Sequence, residues 1–207
     1  MKNNLITRYY DTTFESREEN NVAIITGHPI VFNSRADLGF FDEIIDAGAL
    51  DTTNLNDVRL CLNHDTSYVY ARSRRNNANS TMKIDVVFDG LTFEAALAIN
   101  DSPKARDYYS AVKRGDMDKM SFMFSVDEEE WENLESDHPT RHIKKIGSVI
   151  EISAVTFPAY EQTTISARSK EALENAKSEL ESARAAKRSK SVETDEINLI
   201  KEKIKML

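Results

Sequence analysis

The stretch MKIDVVFDGLTFEAALA, residues 82–98, alternates apolar and polar side chains on either side of Asp89-Gly90. Met82, Ile84 and Val86 share one side, and Leu91, Phe93, Ala95 and Leu97 share another. A side-chain period of two is the mark of a half-buried strand. Asp-Gly between two such runs is a tight hairpin turn, because glycine accepts the backbone angles the turn demands. The segment therefore predicts a pair of antiparallel strands.

Similar signals lie on both sides of it. Residues 22–26 read as a strand. Residues 58–64 alternate, with Val58, Leu60, Leu62 and His64 on one face. Residues 120–126 and 148–157 read as further strands. The acidic stretch 127–137 between them reads as a solvated loop. One helix interrupts the series over residues 102–115. Ser102 suits its N-cap, Pro103 its first position and Gly115 its stop, while Ala105, Tyr108, Tyr109 and Val112 give it an apolar side. Short strands that follow each other closely favour an α+β fold: a mainly antiparallel β-barrel or sandwich with packed helices.

From Arg168 onward the composition changes. Residues 168–207 contain no Gly, Pro, Phe, Tyr or Trp, and Ala, Glu, Lys and Leu dominate. The expected division is a globular domain over 1–167 and a helical C-terminal tail over 168–207. Leu173, Ala176, Leu180 and Ala183 form one helical stripe, and Ile197, Ile200, Ile204 and Leu207 a second, with a break expected over 189–194. Neither stripe can bury itself, so the tail is expected on a partner, on a second copy, or partly disordered.

The whole chain has 207 residues, 40% hydrophobic and 30% charged, as in ordinary soluble globular proteins. It has no apolar run near the ~20 residues that span a bilayer, and residues 1–10 lack the apolar core of a secretory signal. No membrane is expected as a partner. Cys61 is the sole cysteine, which forbids an intrachain disulfide. The net charge of −8 argues against nucleic acid as a partner, because phosphate contacts need a basic face.

Three strand segments carry reactive side chains: Asn63-His64-Asp65, Lys119-Met120-Ser121-Phe122 and Ile150-Glu151-Ile152-Ser153. A hydroxyl is a weak nucleophile until a base takes its proton, and imidazole is the usual base near neutral pH. A carboxylate on the far ring nitrogen fixes the tautomer and stabilises the imidazolium. Ser121 points away from the face of Met120, Phe122, Phe124 and Val126, on a side where a substrate could reach it. In a continuing strand, Asp65 faces away from His64. Glu151 shares a face with Val149, Val155 and Phe157, so it needs a partner there, and His64 can be that partner.

The residue types alone leave other readings open. His64 can be a hydrogen-bonded histidine at a strand end, Ser121 a small polar residue on a half-exposed strand, and Glu151 a surface carboxylate. Cys61, His64, His138 and His142 are four ligands of the kinds zinc takes. Against zinc, Cys61 and His64 face opposite ways in a strand, and Pro139 disfavours a helix carrying both other histidines. The Arg72-Ser73-Arg74-Arg75 run is a solvated basic loop or a source of positive field. His28, before Pro29, reads as a structural turn residue, and Trp131 as an anchor for the acidic loop.

Several segments, in order and spacing, resemble the prohead maturation serine protease family of tailed bacteriophages. They are Gly48-Ala49-Leu50, Leu62-Asn63-His64-Asp65, Asp89-Gly90-Leu91, Val112-Lys113-Arg114-Gly115, Met120-Ser121-Phe122-Met123-Phe124, and the most specific, Glu151-Ile152-Ser153-Ala154-Val155-Thr156-Phe157-Pro158-Ala159. The resemblance spans about residues 22–167. It implies a β-barrel surrounded by helices, similar to the herpesvirus capsid-maturation protease. It implies Ser121 as nucleophile, His64 as base and Glu151 as third member, with no cofactor and no metal. The implied substrate is the scaffolding portion of the major capsid protein, followed by the protease itself, in the host cytoplasm inside the assembling prohead. By analogy alone, the related viral enzymes point to a homodimer. Two departures touch the loops: Asp118-Lys119-Met120 stands where relatives often have a Gly-rich approach to the serine, and Tyr68-Val69-Tyr70 where they often carry Gly. The alternative is a non-enzymatic capsid assembly or scaffolding protein, a role the helical tail also suits.

Overall fold

A computed structural model describes residues 5–10, 14–20, 22–156 and 167–205. Its elements run β1 (Leu5–Tyr10), β2 (Phe14–Glu19), β3 (Val22–Val31), β4 (Arg35–Asp37), β5 (Asp42–Ile45), β6 (Val58–Leu62), β7 (Ala71–Ser73), β8 (Met82–Val87), β9 (Gly90–Leu97), α1 (Pro103–Lys113), β10 (Lys119–Glu132), β11 (Thr140–Val155) and α2 (Ala167–Lys205). Among the described residues the fold is α+β, mostly strands with two helices.

The strands form two sheets. One is antiparallel, in the order β2-β3-β9-β8. The other has seven strands, in the order β1-β10-β11-β5-β4, with β6 on β11 and β7 on β6. No closed barrel is found among the described residues. The larger sheet is also mixed, because β11 runs parallel to both β5 and β6.

β11 is the spine of that sheet. One edge pairs along its length with β10, from Thr140 opposite Glu132 to Val155 opposite Lys119. Its other edge is shared: β5 takes Thr140–Ile143, and β6 takes Glu151–Ala154. The main core joins both sheets and α1 through Ile25, Leu60, Leu91, Phe93, Tyr108, Phe122, Phe124 and Ile152, all buried.

The alternation around residue 89 yields the β8–β9 hairpin as read, with the turn one residue earlier than predicted. Val87 pairs with Gly90, so Phe88 and Asp89 form the turn and Gly90 opens β9. A Cβ at Gly90 would meet the Ile30 carbonyl oxygen at 1.8 Å, and φ is +151°. Glycine is needed there for the close approach of β3.

α1 forms where its signals stand. The Ser102 hydroxyl accepts from the Ala105 N–H at 3.2 Å, and Pro103 occupies the start. Gly115, at φ +77°, ends the helix; its N–H donates to Val112 and that of Asp116 to Ala111, a Schellman closure. Ala105, Tyr108, Tyr109 and Val112 are buried.

Four expectations are corrected. Residues 127–132 continue β10 rather than looping, because their charges find opposite charges across the ladder. Glu129 meets Arg141, and Glu130 lies 3.4 Å from Lys144. The tail is one helix, not two. Residues 189–194 hold no Gly or Pro, and the Ser189 hydroxyl bonds back to the Ala185 carbonyl at 3.1 Å. β6 ends at Leu62, so His64 does not extend its face. His28 lies within β3, where the ladder slips between Gly27 and Ile30, not in a turn.

α2 docks through Ala176 and Leu180 onto Leu38, Phe41 and Leu134. Trp131 packs edge-on to Phe41 at 4.9 Å beside this cluster. A charged cluster also joins the helix to the sheet. Arg8 of β1 donates to Glu43 at 2.6 and 3.0 Å and to Glu179 of α2 at 2.6 Å. Arg141 of β11 donates to Glu43 at 3.0 Å, to Glu179 at 2.9 Å and to Glu129 at 2.8 Å. Arg8, Glu43 and Arg141 are all buried, so their charges depend on one another. No described helix is long and apolar enough to cross a membrane.

Candidate active site

β11 presents Glu151 and Ser153 on one face, as any strand does with residues two apart. Ser153 lies opposite Cys61 of β6 on one side and opposite Ser121 of β10 on the other. Directly opposed residues share a face, so Cys61, Ser153, Glu151 and Ser121 line one patch of sheet. All four are fully buried.

His64 reaches this patch from the turn after β6. Asn63 and His64 take positive φ, +51° and +61°, in succession. Two consecutive left-handed residues without glycine hold only when the surroundings fix them. The fixing contacts are present. The Asn63 N–H donates to the Ala154 carbonyl at 2.8 Å, and the Asn63 side-chain oxygen accepts from Thr156 N–H and Oγ1 at 3.0 and 3.2 Å. The His64 N–H donates to Ser153 Oγ at 3.1 Å.

This turn brings His64 Nδ1 within 2.5 Å of Glu151 Oε1. The other carboxylate oxygen, Oε2, accepts from Ser153 Oγ at 2.5 Å. Glu151 thus has a partner on each oxygen, which is what a buried carboxylate requires. Asp65 serves elsewhere: its carboxylate accepts from Ser67 N–H and Oγ at 3.0 and 2.6 Å.

Ser121 joins the patch with its hydroxyl turned to β1. Its hydroxyl donates to the main-chain carbonyl of Arg8 at 2.9 Å. The expectation that a substrate could reach Ser121 is corrected by its complete burial. Strand parity puts it on the face of Ser153 and Glu151, and its hydroxyl turns sideways to the neighbouring strand β1.

The remaining candidates have other surroundings. Cys61 is buried in the sheet, and burial, with Glu151 nearby, pushes its thiol up to about 12. It is an inert neutral thiol near pH 7. His142 Nδ1 lies 2.8 Å from Asp46, and His138 Nε2 3.2 Å from Asp42. His64, His138 and His142 therefore each hold a different carboxylate: Glu151, Asp42 and Asp46. Among the described residues, Asp37, Asp42 and His138 bring ligating atoms within 4.8 Å of one another. Arg35 already pairs with Asp42 there at 2.9 Å. Arg72 is engaged by Asp57 at 2.6 and 2.7 Å, and its hydrogen bonds hold that carboxylate below its ordinary range.

Two participants escaped sequence reasoning. Ser153 was legible in principle, since it stands two residues after Glu151 on the same strand face. Arg8 carried no signal, because nothing local marks β1 as the neighbour of β10.

Neither the curated proteins nor the solved structures contain a match to this chain. The family model described as caudovirus prohead serine protease matches residues 11–179, which extends the span of the resemblance into α2. With that model covering most of its length, the chain belongs to the caudovirus prohead serine protease family.

Proposed function

We propose that the protein is a Ser-His-Glu endopeptidase that cuts the scaffolding portion of the major capsid protein, and then itself, inside the assembling prohead. Membership of a prohead serine protease family supports a capsid-maturation role. The observation that carries the catalytic assignment is the 2.5 Å contact of His64 Nδ1 with buried Glu151, on the sheet patch that also carries Ser121.

In this scheme Glu151 holds the His64 tautomer with its proton on Nδ1, leaving Nε2 to act as base. Ser121 turns its hydroxyl from Arg8 to Nε2 and attacks the scissile carbonyl as the imidazole takes its proton. Glu151, fully buried, stabilises the imidazolium that forms. His64 then gives the proton to the leaving amine, and water resolves the acyl-enzyme. The barrel of the herpesvirus proteases and a homodimer belong to the same reading.

A second role is favoured by α2. The helix spans 39 residues, and its described contacts with the globular part include Ala176, Glu179, Leu180, Arg184 and Lys187. The rest of the helix can carry the chain into an assembling shell, so assembly and cutting share one polypeptide.

The test is co-expression with the cognate major capsid protein, with mass spectrometry of the products. Ser121→Ala and His64→Ala should abolish cleavage, and Glu151→Gln should slow it by roughly a thousandfold or more. Cleavage that persists in Ser121→Ala would overturn the assignment.

A further inference from the structure

β1 lies antiparallel to β10, from Leu5 opposite Ser125 to Tyr10 opposite Met120, and among the described residues is the outermost strand on that side of the sheet. Its Arg8 carbonyl accepts the Ser121 hydroxyl at 2.9 Å. A peptide to be cut must offer its own carbonyl to that hydroxyl, so β1 stands where the peptide has to be. Main-chain ladder bonds are indifferent to sequence, and an exposed strand edge accepts any extended segment.

Resting on the nucleophile proposed above, we infer that the β10 edge at residues 120–125 is the seat of the extended polypeptide segment to be cut, and that β1 is a built-in occupant that leaves to admit it. The partner this surface fits is an unfolded or linker segment, because only extended chain can continue the ladder. A folded domain cannot enter.

β1 is held by a shared charge cluster, part of which stays paired when the strand departs. Its anchor is Arg8, clasped by Glu43 and Glu179. When Arg8 leaves, Arg141 still donates to Glu43 at 3.0 Å and to Glu179 at 2.9 Å. Arg141 then faces Glu43, Glu179 and Glu129 alone, so the release of Arg8 has a cost that holds β1 in place until a segment takes its seat. Glu179 belongs to α2, so the tail helix contributes to the hold on β1.

The test locks β1 in place. Thr7 and Met123 are direct ladder partners, so Thr7→Cys with Met123→Cys sets two thiols face to face for a disulfide. Buried Cys61 does not compete for the bond. The full chain, oxidised or reduced, is treated with a fluorophosphonate probe, and the Ser121 adduct is followed by mass spectrometry. Labelling should be at least tenfold slower in the oxidised form than in the same variant after reduction. Equal rates in the two forms would overturn the seat while leaving the Ser121 assignment standing. No Ser121 adduct on the wild-type chain would overturn that assignment and this inference together.

Discussion

At the scale of single residues, the decisive contacts gather on one carboxylate. Glu151 is fully buried and accepts from His64 Nδ1 and from Ser153 Oγ, both at 2.5 Å. Ser153 also accepts the His64 N–H at 3.1 Å. One hydroxyl therefore fixes the carboxylate and the backbone of the histidine together. Ser153→Ala would leave Glu151 Oε2 without its donor and the left-handed turn without one of its ties. Loss of a hydrogen bond to a buried charged group costs about 1.5–3 kcal/mol. We expect a lowered thermal midpoint and a kcat at least tenfold below wild type, with KM nearly unchanged. A variant matching wild type in both would remove Ser153 from the positioning of His64. A carboxylate that shares a strand face with Val149 and Val155 needs a partner there, and His64 supplies it. The route by which His64 arrives was not legible, because two successive left-handed residues look like any Asn-His pair in the sequence.

At the scale of elements, the chain shows where local signals suffice. α1 starts and stops on Ser102, Pro103 and Gly115, and each makes the contact its chemistry favours. Ser102 Oγ also lies 2.7 Å from Tyr68 Oη, which joins the helix to the loop after His64. Ser102→Ala should lower stability by about 1 kcal/mol from the cap. The check is urea unfolding, with the midpoint falling and the slope unchanged. An unshifted midpoint would mean the cap adds nothing here. β10 shows the limit of such reading. Six residues, Asp127, Glu128, Glu129, Glu130, Trp131 and Glu132, look like solvated loop by composition. They form strand because β11 supplies Lys145, Lys144 and Arg141 beside them. Composition reports what a segment carries and is blind to the charge of its neighbour.

At the scale of the whole molecule, α2 and β1 are joined through the sheet by charges. Arg8, Glu43, Arg141 and Glu179 come from four elements. The helix also depends on apolar docking, because Leu180 is 4% exposed against Leu38, Phe41 and Leu134. Leu180→Ala should cost about 2–4 kcal/mol. It should also raise amide hydrogen exchange along the first half of α2. Exchange unchanged from wild type would show that the helix does not rely on this cluster.

The sequence by itself determined the local conformations and the family: the β8–β9 hairpin, the bounds of α1, the α+β class, and the segments around His64, Ser121 and Glu151 that mark a prohead serine protease. Tertiary structure alone decided the neighbours. It set β6 parallel to β11, brought His64 to Glu151 across 87 positions, and set the Arg8 carbonyl beside Ser121 across 113. The reason is physical. Side-chain period and caps act within a few residues, so they fix which face a residue occupies. Which strand lies alongside is settled by the joint burial of many distant apolar faces, and no short stretch of chain contains that information.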